Sequence, residues 1–320
     1  MFLLRKLASA ILTIFVISAL GFFIFRAMPG DPERMLIGAA QGITPELLAQ
    51  IRARWGLDAP LFPDQFLSYI LSLARGDFGY SFKFRGETVL GVIGPRMMPT
   101  LLFVGTAQVI AMVVGLWIGS RAGWRQGSIL DRFGSSLALA AYGMPTFWLG
   151  MLLLIVFAAW LSWFPVTGLA NIEQTNNFQQ WLGIAWRSVL PIATLAIAQT
   201  GQYVLLMRAA VVEVSKEDFV TTARAKGIGS NAVLRRHVTP NARLPIVTLI
   251  SLNVGFILAG AITVETVFSW PGLGLLTVEA MRARDYPVMQ ALFLIFAVSI
   301  VLANLVADLL YARLDPRVSR

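Results

Sequence analysis

Long apolar stretches without a charged residue constrain this chain more than any other feature. A helix needs roughly 20 apolar residues to cross the hydrocarbon core of a bilayer. Five uncharged stretches lie near that length, at residues 7–25, 97–120, 188–207, 244–264 and 286–307. A sixth, 133–172, is too long for one helix, and we assign a helix to 134–160 followed by a polar and aromatic surface segment. The pattern predicts an all-α polytopic membrane protein with six transmembrane helices.

The distribution of charge predicts how these helices are oriented. The chain is 57% hydrophobic and 13% charged, which is more apolar surface than one soluble core of 320 residues can bury. With both termini in the cytoplasm, the inner segments hold 15 of the 26 Lys and Arg but 6 of the 17 Asp and Glu. Because short cytoplasmic loops retain basic residues, we expect this orientation. A basic inner face also suits anionic lipid, so the net charge of +9 requires no nucleic acid.

The predicted spans divide the chain into three parts. Residues 1–28 form an amino-terminal helix that we expect to stay as a membrane anchor, because its apolar stretch is long for a cleaved signal peptide. Residues 29–96 form an extracytoplasmic insertion with helical patterns near 45–54 and 64–74. Residues 97–320 form the core, with five spans and a cytoplasmic loop at 211–243.

Within that loop, residues 215–240 carry the signals that begin and end a short helix. Ser215 and Asp218 have the spacing of a capping box, in which each side chain bonds to the other's backbone amide. Gly227 can supply the left-handed residue that closes a helix. We therefore expect a helix of roughly eleven residues, which is marginal in water unless it packs against something.

The faces of this loop allow two interpretations. Phe219 and Ala223, four residues apart, predict a small apolar face directed away from the membrane. Gly229 and the following serine predict a second helix that ends before Pro240. The loop is either a hairpin that folds back on its own protein or a surface for a partner, and these patterns alone leave both open.

A spaced motif in the loop resembles a known family. Thr221, Thr222 and Ala223 are followed by three residues, Gly227, nine residues, and His237-Val238-Thr239-Pro240. This spacing resembles the EAA loop of ABC importer permeases, whose consensus is Glu-Ala-Ala, three residues, Gly, nine residues, Ile-x-Leu-Pro. The loop looks like that of the dipeptide and oligopeptide branch, and further matches occur in the expected order at 29–32, 56–61, 76–81, 268–274, 284–288, 308–311 and 314–317. Thr221, Thr222 and His237 depart from the consensus.

The resemblance implies a type I, methionine-permease-like importer fold in a bacterial inner membrane. Such a permease pairs with a second, homologous permease, two ATP-binding subunits and an extracytoplasmic binding protein. It implies import of short peptides, or of nickel chelates, glutathione-like molecules or oligosaccharides by the same machinery. It also implies that the loop docks on the ATPase subunit and couples to it through Asp218, Thr221, Thr222, Ala223, Arg224, Lys226, Gly227 and Pro240.

Residues for catalysis or cofactor binding are not evident. A phosphate-binding loop ends in Gly-Lys-[Ser/Thr], but none of Lys6, Lys83, Lys216 and Lys226 follows a glycine. There is no cysteine, and the single histidine, His237, has no acid or thiol at ligand spacing. We expect no enzymatic activity, metal or cofactor in this chain, with ATP and Mg²⁺ bound by partner subunits.

An ion-coupled transporter or channel is the main rival class, and an enzyme or scaffold a third. Ion coupling ordinarily places an ionisable residue in mid-membrane, and no predicted span has one. Glu265 and Asp308 lie at span ends, where we expect structural or gating roles. Three amides lie deepest and either line a translocation path or bond between helices: Gln199, Gln202 and Asn253. Helix breaks are expected at Gly143 and Pro145 and near Pro191.

Overall fold

The computed structural model describes residues 2–27, 60–84, 86–166, 178–255 and 261–314. Apart from one isolated β-bridge between Tyr80 and Thr88, the regular secondary structure in these ranges is helical. The helices are α1 (Phe2–Ala27), α2 (Phe66–Ala74), α3 (Val89–Trp124), α4 (Ile129–Gly143), α5 (Thr146–Leu153, continued by a π-helical turn at Leu154–Trp160), α6 (Phe178–Val214), α7 (Asp218–Ala225), α8 (Ser230–Val233, continued through Leu234–Val238 and Thr239–Asn241), α9 (Leu244–Gly255), α10 (Ile262–Val267), α11 (Leu273–Ala283) and α12 (Tyr286–Leu314). The predicted insertion helix near 45–54 lies outside the described residues, and so does the part of the predicted polar and aromatic surface segment at 167–177.

Four of these helices are long and apolar enough to cross a membrane: Leu4–Ala27, Val89–Trp124, Trp181–Val214 and Tyr286–Val306. The pair α4 and α5 adds a fifth if it is counted as one broken span. The predicted span at 244–264 contains α9, which has 12 residues, and the start of α10. Residues 256–260, between these two helices, lie outside the described ranges. The all-α polytopic architecture is therefore confirmed. The described residues contain four or five candidate spans, so the predicted number of six is not confirmed.

The predicted break between α4 and α5 is present. The two helices meet at 106°. Met144 and Pro145, which join them, have extended ψ angles of 135° and 128°. Since proline lacks an amide hydrogen and disfavours a helical conformation at the preceding residue, the dipeptide stops α4 and sends the chain in a new direction. Pro191, by contrast, lies inside the continuous α6.

The described chain forms two compact units, of which the first contains the residues up to Met98 and those from Leu275 onward. In this unit α1 packs against α12, and Gly21 lies where a β-carbon would be 3.3 Å from the ring of Phe293. Phe22 packs edge-on against Phe66 of α2. Lys6 and Asp308 form an ion pair at 2.6 Å between α1 and α12. Aromatic packing and this ion pair thus connect α1 to α2 and to α12.

The second unit, Pro99–Gly274, has two apolar clusters. The Val220 cluster joins α3 and α6 to the segment that follows α6, and its buried members are Ala111, Tyr203, Met207, Ala210, Val211, Val220, Ala223, Val233, Leu234, Val238, Ala242 and Ile246. The Trp270 cluster lies around the turn after α10, and its buried members are Phe103, Val104, Ala107, Ala158, Leu190, Leu195, Ala196, Ala261, Val264, Phe268 and Trp270.

Glycines bring α3 and α6 into close contact in this second unit. A β-carbon at Gly119 would lie 2.6 Å from the carbonyl oxygen of Val204 and 2.8 Å from Cβ of Met207. One at Gly123 would lie 2.7 Å from the carbonyl oxygen of Arg208. Because real β-carbons do not approach atoms so closely, only glycine permits this separation of the two backbones.

Candidate functional site

The segment that connects α6 to α9, residues 215–243, contains the predicted coupling helix and is here named the connecting segment. The predicted capping box at its start is wrong. The hydroxyl of Ser215 donates to the carbonyl oxygen of Val211 at 2.5 Å, and the amide of Ser215 bonds to the same carbonyl at 2.9 Å. Ser215 therefore completes the last turn of α6. Glu217 occupies the cap position without a side-chain hydrogen bond to the helix, and α7 has eight residues, not eleven.

The end of α7 is as predicted. Gly227 has a φ of +76°, in the left-handed region that favours glycine. Its amide donates to the carbonyl of Arg224 at 3.0 Å, and the amide of Ile228 donates to the carbonyl of Ala223 at 3.3 Å. These two bonds form a Schellman motif, which satisfies carbonyls that the end of a helix would otherwise leave unpaired. Asp218 in the first turn and Arg224 in the last also complement the helix dipole.

The second half of the connecting segment corrects the prediction that Pro240 ends the helix. Helical structure runs from Ser230 through the π-helical turn Leu234–Val238 and on to Asn241. Pro240 lies near the end of this continuous helical run, directly after the π-helical turn and Thr239. The helix therefore ends just after the proline and not before it.

The two faces of α7 differ in environment. Val220 and Ala223 are 0% and 4% exposed and lie in the Val220 cluster with Met207 and Val211 of α6. The prediction that Ala223 belongs to an outward face is therefore wrong, because the spacing of three residues places it beside Val220 on the inner face. Phe219 remains 41% exposed.

The outer face carries most of the predicted coupling residues. Those that are exposed to solvent are Asp218, Thr221, Thr222, Arg224, Lys226, Gly227 and Pro240. The Thr222 hydroxyl donates to the carbonyl of Asp218 at 3.0 Å, within the helix. Together with Phe219, the exposed residues of α7 form a mixed surface of hydroxyls, charges and one aromatic ring.

Sequence reasoning missed Trp124, the last residue of α3. The guanidinium carbon of Arg224 lies 4.7 Å from the centre of a Trp124 ring, in cation–π geometry. The Trp124 indole nitrogen donates to the hydroxyl of Ser230 at 2.9 Å. Trp124 thus contacts both α7 and the start of α8. The signal available in the sequence was a tryptophan four residues after the predicted end of an apolar span at residue 120, which by itself indicates only a membrane interface.

The residues predicted for a translocation path include one that bonds between helices. The side-chain amide of Asn253 in α9 donates to the Tyr203 hydroxyl of α6 at 2.9 Å, and that of Gln108 in α3 donates to the same hydroxyl. Tyr203 is fully buried. Asn253 thus makes the interhelical hydrogen bond that was the alternative to a path role. Gln199 and Gln202 are partly buried on α6.

Glu265, predicted at the end of a span, is fully buried and orders the turn between α10 and α11. Its carboxylate accepts hydrogen bonds from Oγ1 of Thr100 and the amide of Gly274, both at 2.7 Å. Thr100 in turn accepts from the amide of Leu273 at 2.8 Å. The geometry supports a structural role for Glu265, and the ion pair with Lys6 supports one for Asp308.

Within the described ranges, no three His, Cys, Asp or Glu side chains lie close enough together to hold a metal ion. His237 is partly buried on the π-helical turn of the connecting segment.

Several spanning helices and a connecting segment with one buried and one exposed face define a polytopic membrane protein. The chain belongs to the family described as "Binding-protein-dependent transport system inner membrane component", whose model matches residues 88–320. The amino-terminal model of the same system matches residues 1–102. The chain is therefore a multi-pass membrane protein and the permease of an ABC importer, as the EAA-like spacing indicated.

Curated relatives match nearly the whole chain. It is 38% identical over 317 residues to the glutathione transport system permease protein GsiC of Escherichia coli strain K12. The same identity holds for the proteins of that name from Shigella dysenteriae serotype 1 and Shigella flexneri serotype 5b. Each match covers 99% of this chain and 98% of the relative.

Proposed function

We propose that this permease imports short peptides into the cytoplasm, driven by ATP hydrolysis in partner subunits that dock on the exposed face of α7. The observation that carries the proposal is the division of this helix. Val220 and Ala223 are buried in a cluster that also contains residues of α6, while Phe219 and its polar neighbours are exposed. A partner that moves the exposed face therefore acts on this shared cluster. Docking through Asp218, Thr221, Thr222, Arg224, Lys226, Gly227 and Pro240 belongs to this proposal, whereas Ala223 acts through its packing.

The assembly that we infer has a second homologous permease, two ATP-binding subunits and an extracytoplasmic binding protein. ATP and Mg²⁺ are assigned to the ATP-binding subunits, since this sequence has no phosphate-binding loop. Both termini and the connecting segment are assigned to the cytoplasm, since short basic loops are retained there.

Glutathione is the second candidate substrate, because relatives that align over 98% of their length are named as glutathione permeases. Glutathione is itself a small peptide, so both substrates suit one path. An uptake assay in vesicles that contain the whole complex and its binding protein distinguishes these substrates. The compounds to test are dipeptides, tripeptides, glutathione, nickel chelates and oligosaccharides. Uptake of oligosaccharide or nickel alone would overturn the peptide assignment.

The coupling role is tested by Gly227→Val in the assembled complex. A β-branched residue is strained at a φ of +76°, so the substitution should distort the end of α7 and remove ATPase stimulation by the loaded binding protein. Gly229→Ser is the matched control. Gly229 has an ordinary φ of −60°, nothing lies within 4 Å of either added β-carbon, and serine is a favoured cap residue. Full stimulation in Gly227→Val, with normal membrane insertion, would contradict the coupling role.

A further inference from the structure

We propose that Trp124 is a positioning residue that transmits movement of the coupling helix α7 to the membrane helix α3. The inference rests on the docking role proposed above and adds a second route from the connecting segment into the membrane. Packing of Val220 and Ala223 on α6 is the first route. Trp124 provides the second because it is the terminal residue of α3 and contacts both halves of the connecting segment.

The contacts of Trp124 use different parts of its indole. The ring face receives the guanidinium of Arg224, at 4.7 Å from the ring centre, in the last turn of α7. The indole N–H donates to Ser230 at 2.9 Å, at the first residue of α8. The side chain also packs against the Val220 cluster. One side chain therefore spans the Gly227 turn and holds the two helices on either side of it.

This arrangement gives Arg224 a role different from partner docking alone. The guanidinium of Arg224 lies over the Trp124 ring, and Arg224 remains exposed. A partner that moves Arg224 therefore also acts on the end of α3. A cation–π contact at a partly exposed site contributes on the order of a fivefold change in an equilibrium. Loss of both Trp124 contacts should therefore reduce transport per ATP hydrolysed by about fivefold or more, by the same magnitudes.

Three variants separate the contacts. Trp124→Leu removes both the aromatic face and the donor, Trp124→Phe keeps the face and removes the donor, and Ser230→Ala removes only the acceptor. The matched control is Trp117→Leu, because Trp117 lies on the same helix and carries the guanidinium of Arg121 at 4.3 Å from its ring centre. That pair lies within α3 and does not reach the connecting segment.

The measurements are copurification of the ATP-binding subunits, basal ATPase activity, and substrate transported per ATP hydrolysed in vesicles. We expect Trp124→Leu to keep copurification and basal ATPase activity but to lose transport per ATP. Trp124→Phe and Ser230→Ala should have values of transport per ATP between those of Trp124→Leu and the parent. Trp117→Leu should match the parent in all three measurements. Transport per ATP unchanged in Trp124→Leu overturns the inference and leaves the docking proposal intact. The docking proposal has its own test in variants of the exposed residues Phe219 and Thr222. It is supported if these variants lose copurification of the ATP-binding subunits and the Trp124 variants do not.

A rescue experiment distinguishes transmission from a loss of folding. The chain has no native cysteine, so Trp124→Cys combined with Ser230→Cys creates the only reactive pair. A short bifunctional thiol reagent should restore transport per ATP to this double variant, and a monofunctional reagent should not. The transmission role is wrong if the cross-link forms and transport per ATP stays low. It is also wrong if Trp124→Leu fails to insert into the membrane and the cross-link does not restore transport per ATP to the double variant.

Discussion

Arg208 of α6 donates to both carboxylate oxygens of Asp131 of α4, at 2.5 Å from Nε and 3.1 Å from Nη2. Asp131 is 5% exposed and also accepts a hydrogen bond from the amide of Gly127 at 2.8 Å. A carboxylate so far from water requires partners of this kind, and the planar guanidinium supplies two parallel bonds. The pair joins the start of α4 to the part of α6 that precedes the connecting segment.

Asp131→Asn should destabilise the permease by about 2 kcal/mol, because the substitution leaves a partly buried guanidinium without its charge partner. Thermal unfolding of the purified protein in detergent measures the loss. Asp308→Asn is the comparison. The Lys6–Asp308 side chains are 38% and 39% exposed, and an exposed pair contributes about 1 kcal/mol or less. Equal losses in the two variants would contradict the ranking.

Gly119→Ala should cost about 1 to 3 kcal/mol, because its β-carbon would overlap the backbone of α6 and one helix must move away. Gly105→Ala on the same helix meets nothing within 4 Å and should be neutral or slightly stabilising. The apparent unfolding temperatures of the two variants in lipid nanodiscs provide the test. A neutral Gly119→Ala would show that the close approach of α3 and α6 is not required.

Glu279 makes stability depend on pH. Burial raises its pKa, but hydrogen bonds and charge from Lys83 and Arg96, both 3.1 Å away, outweigh burial and lower the pKa below 4.5. A lowered carboxyl pKa means that the folded state favours the ionised form. The resulting stabilisation is present above the unfolded pKa and is lost as pH falls through the folded pKa.

Glu279→Gln should therefore lower stability at pH 7 by about 1 kcal/mol or less, since the side chains are partly exposed. The difference from the parent should shrink as pH falls below 4.5, the ordinary carboxyl pKa. Unfolding temperatures of both proteins between pH 7 and pH 3.5 measure it. A difference that stays constant, or grows with acidity, would rule out the ion pairs as its cause.

Glu265→Gln should cost about 1 to 3 kcal/mol and loosen the turn at Ser269–Gly274. The amide replaces one acceptor oxygen with a donor that faces either the Thr100 hydroxyl or the Gly274 amide. Glu213→Gln, at an exposed position of α6, is the control and should change stability little. Hydrogen exchange of residues 269–274 measures the turn, and unchanged protection in Glu265→Gln would contradict its ordering role.

The predictable features were those with a strong local cause. Gly227 was placed correctly because a helix that ends in the left-handed conformation needs glycine, and the Gly143 and Pro145 break because proline lacks an amide hydrogen. Uncharged length alone indicated the spanning helices.

The errors arose where contacts outside the recognised sequence pattern decided the outcome. The capping box failed because α6 extends to Val214 and engages the Ser215 hydroxyl, which local spacing does not show. Ala223 lies on the inner face because it joins the cluster that contains Met207 and Val211. Trp124 contacts Arg224 and Ser230, which lie about one hundred positions later in the sequence. Periodicity within eight residues does not determine which neighbours lie nearby.

The glycines of α3 also bear on how small a movement of α7 can be felt in the membrane. A β-carbon at Gly123 would lie 2.9 Å from Cβ of Val211, and Val211 belongs to the cluster that buries Val220 and Ala223. Gly123, Val211, Val220 and Ala223, which line these contacts between α3, α6 and α7, are all small or β-branched residues. Because close-packed interiors have low compressibility, most of a displacement of α7 should be transmitted to α3. A small movement of α7 is therefore sufficient to move the membrane helices.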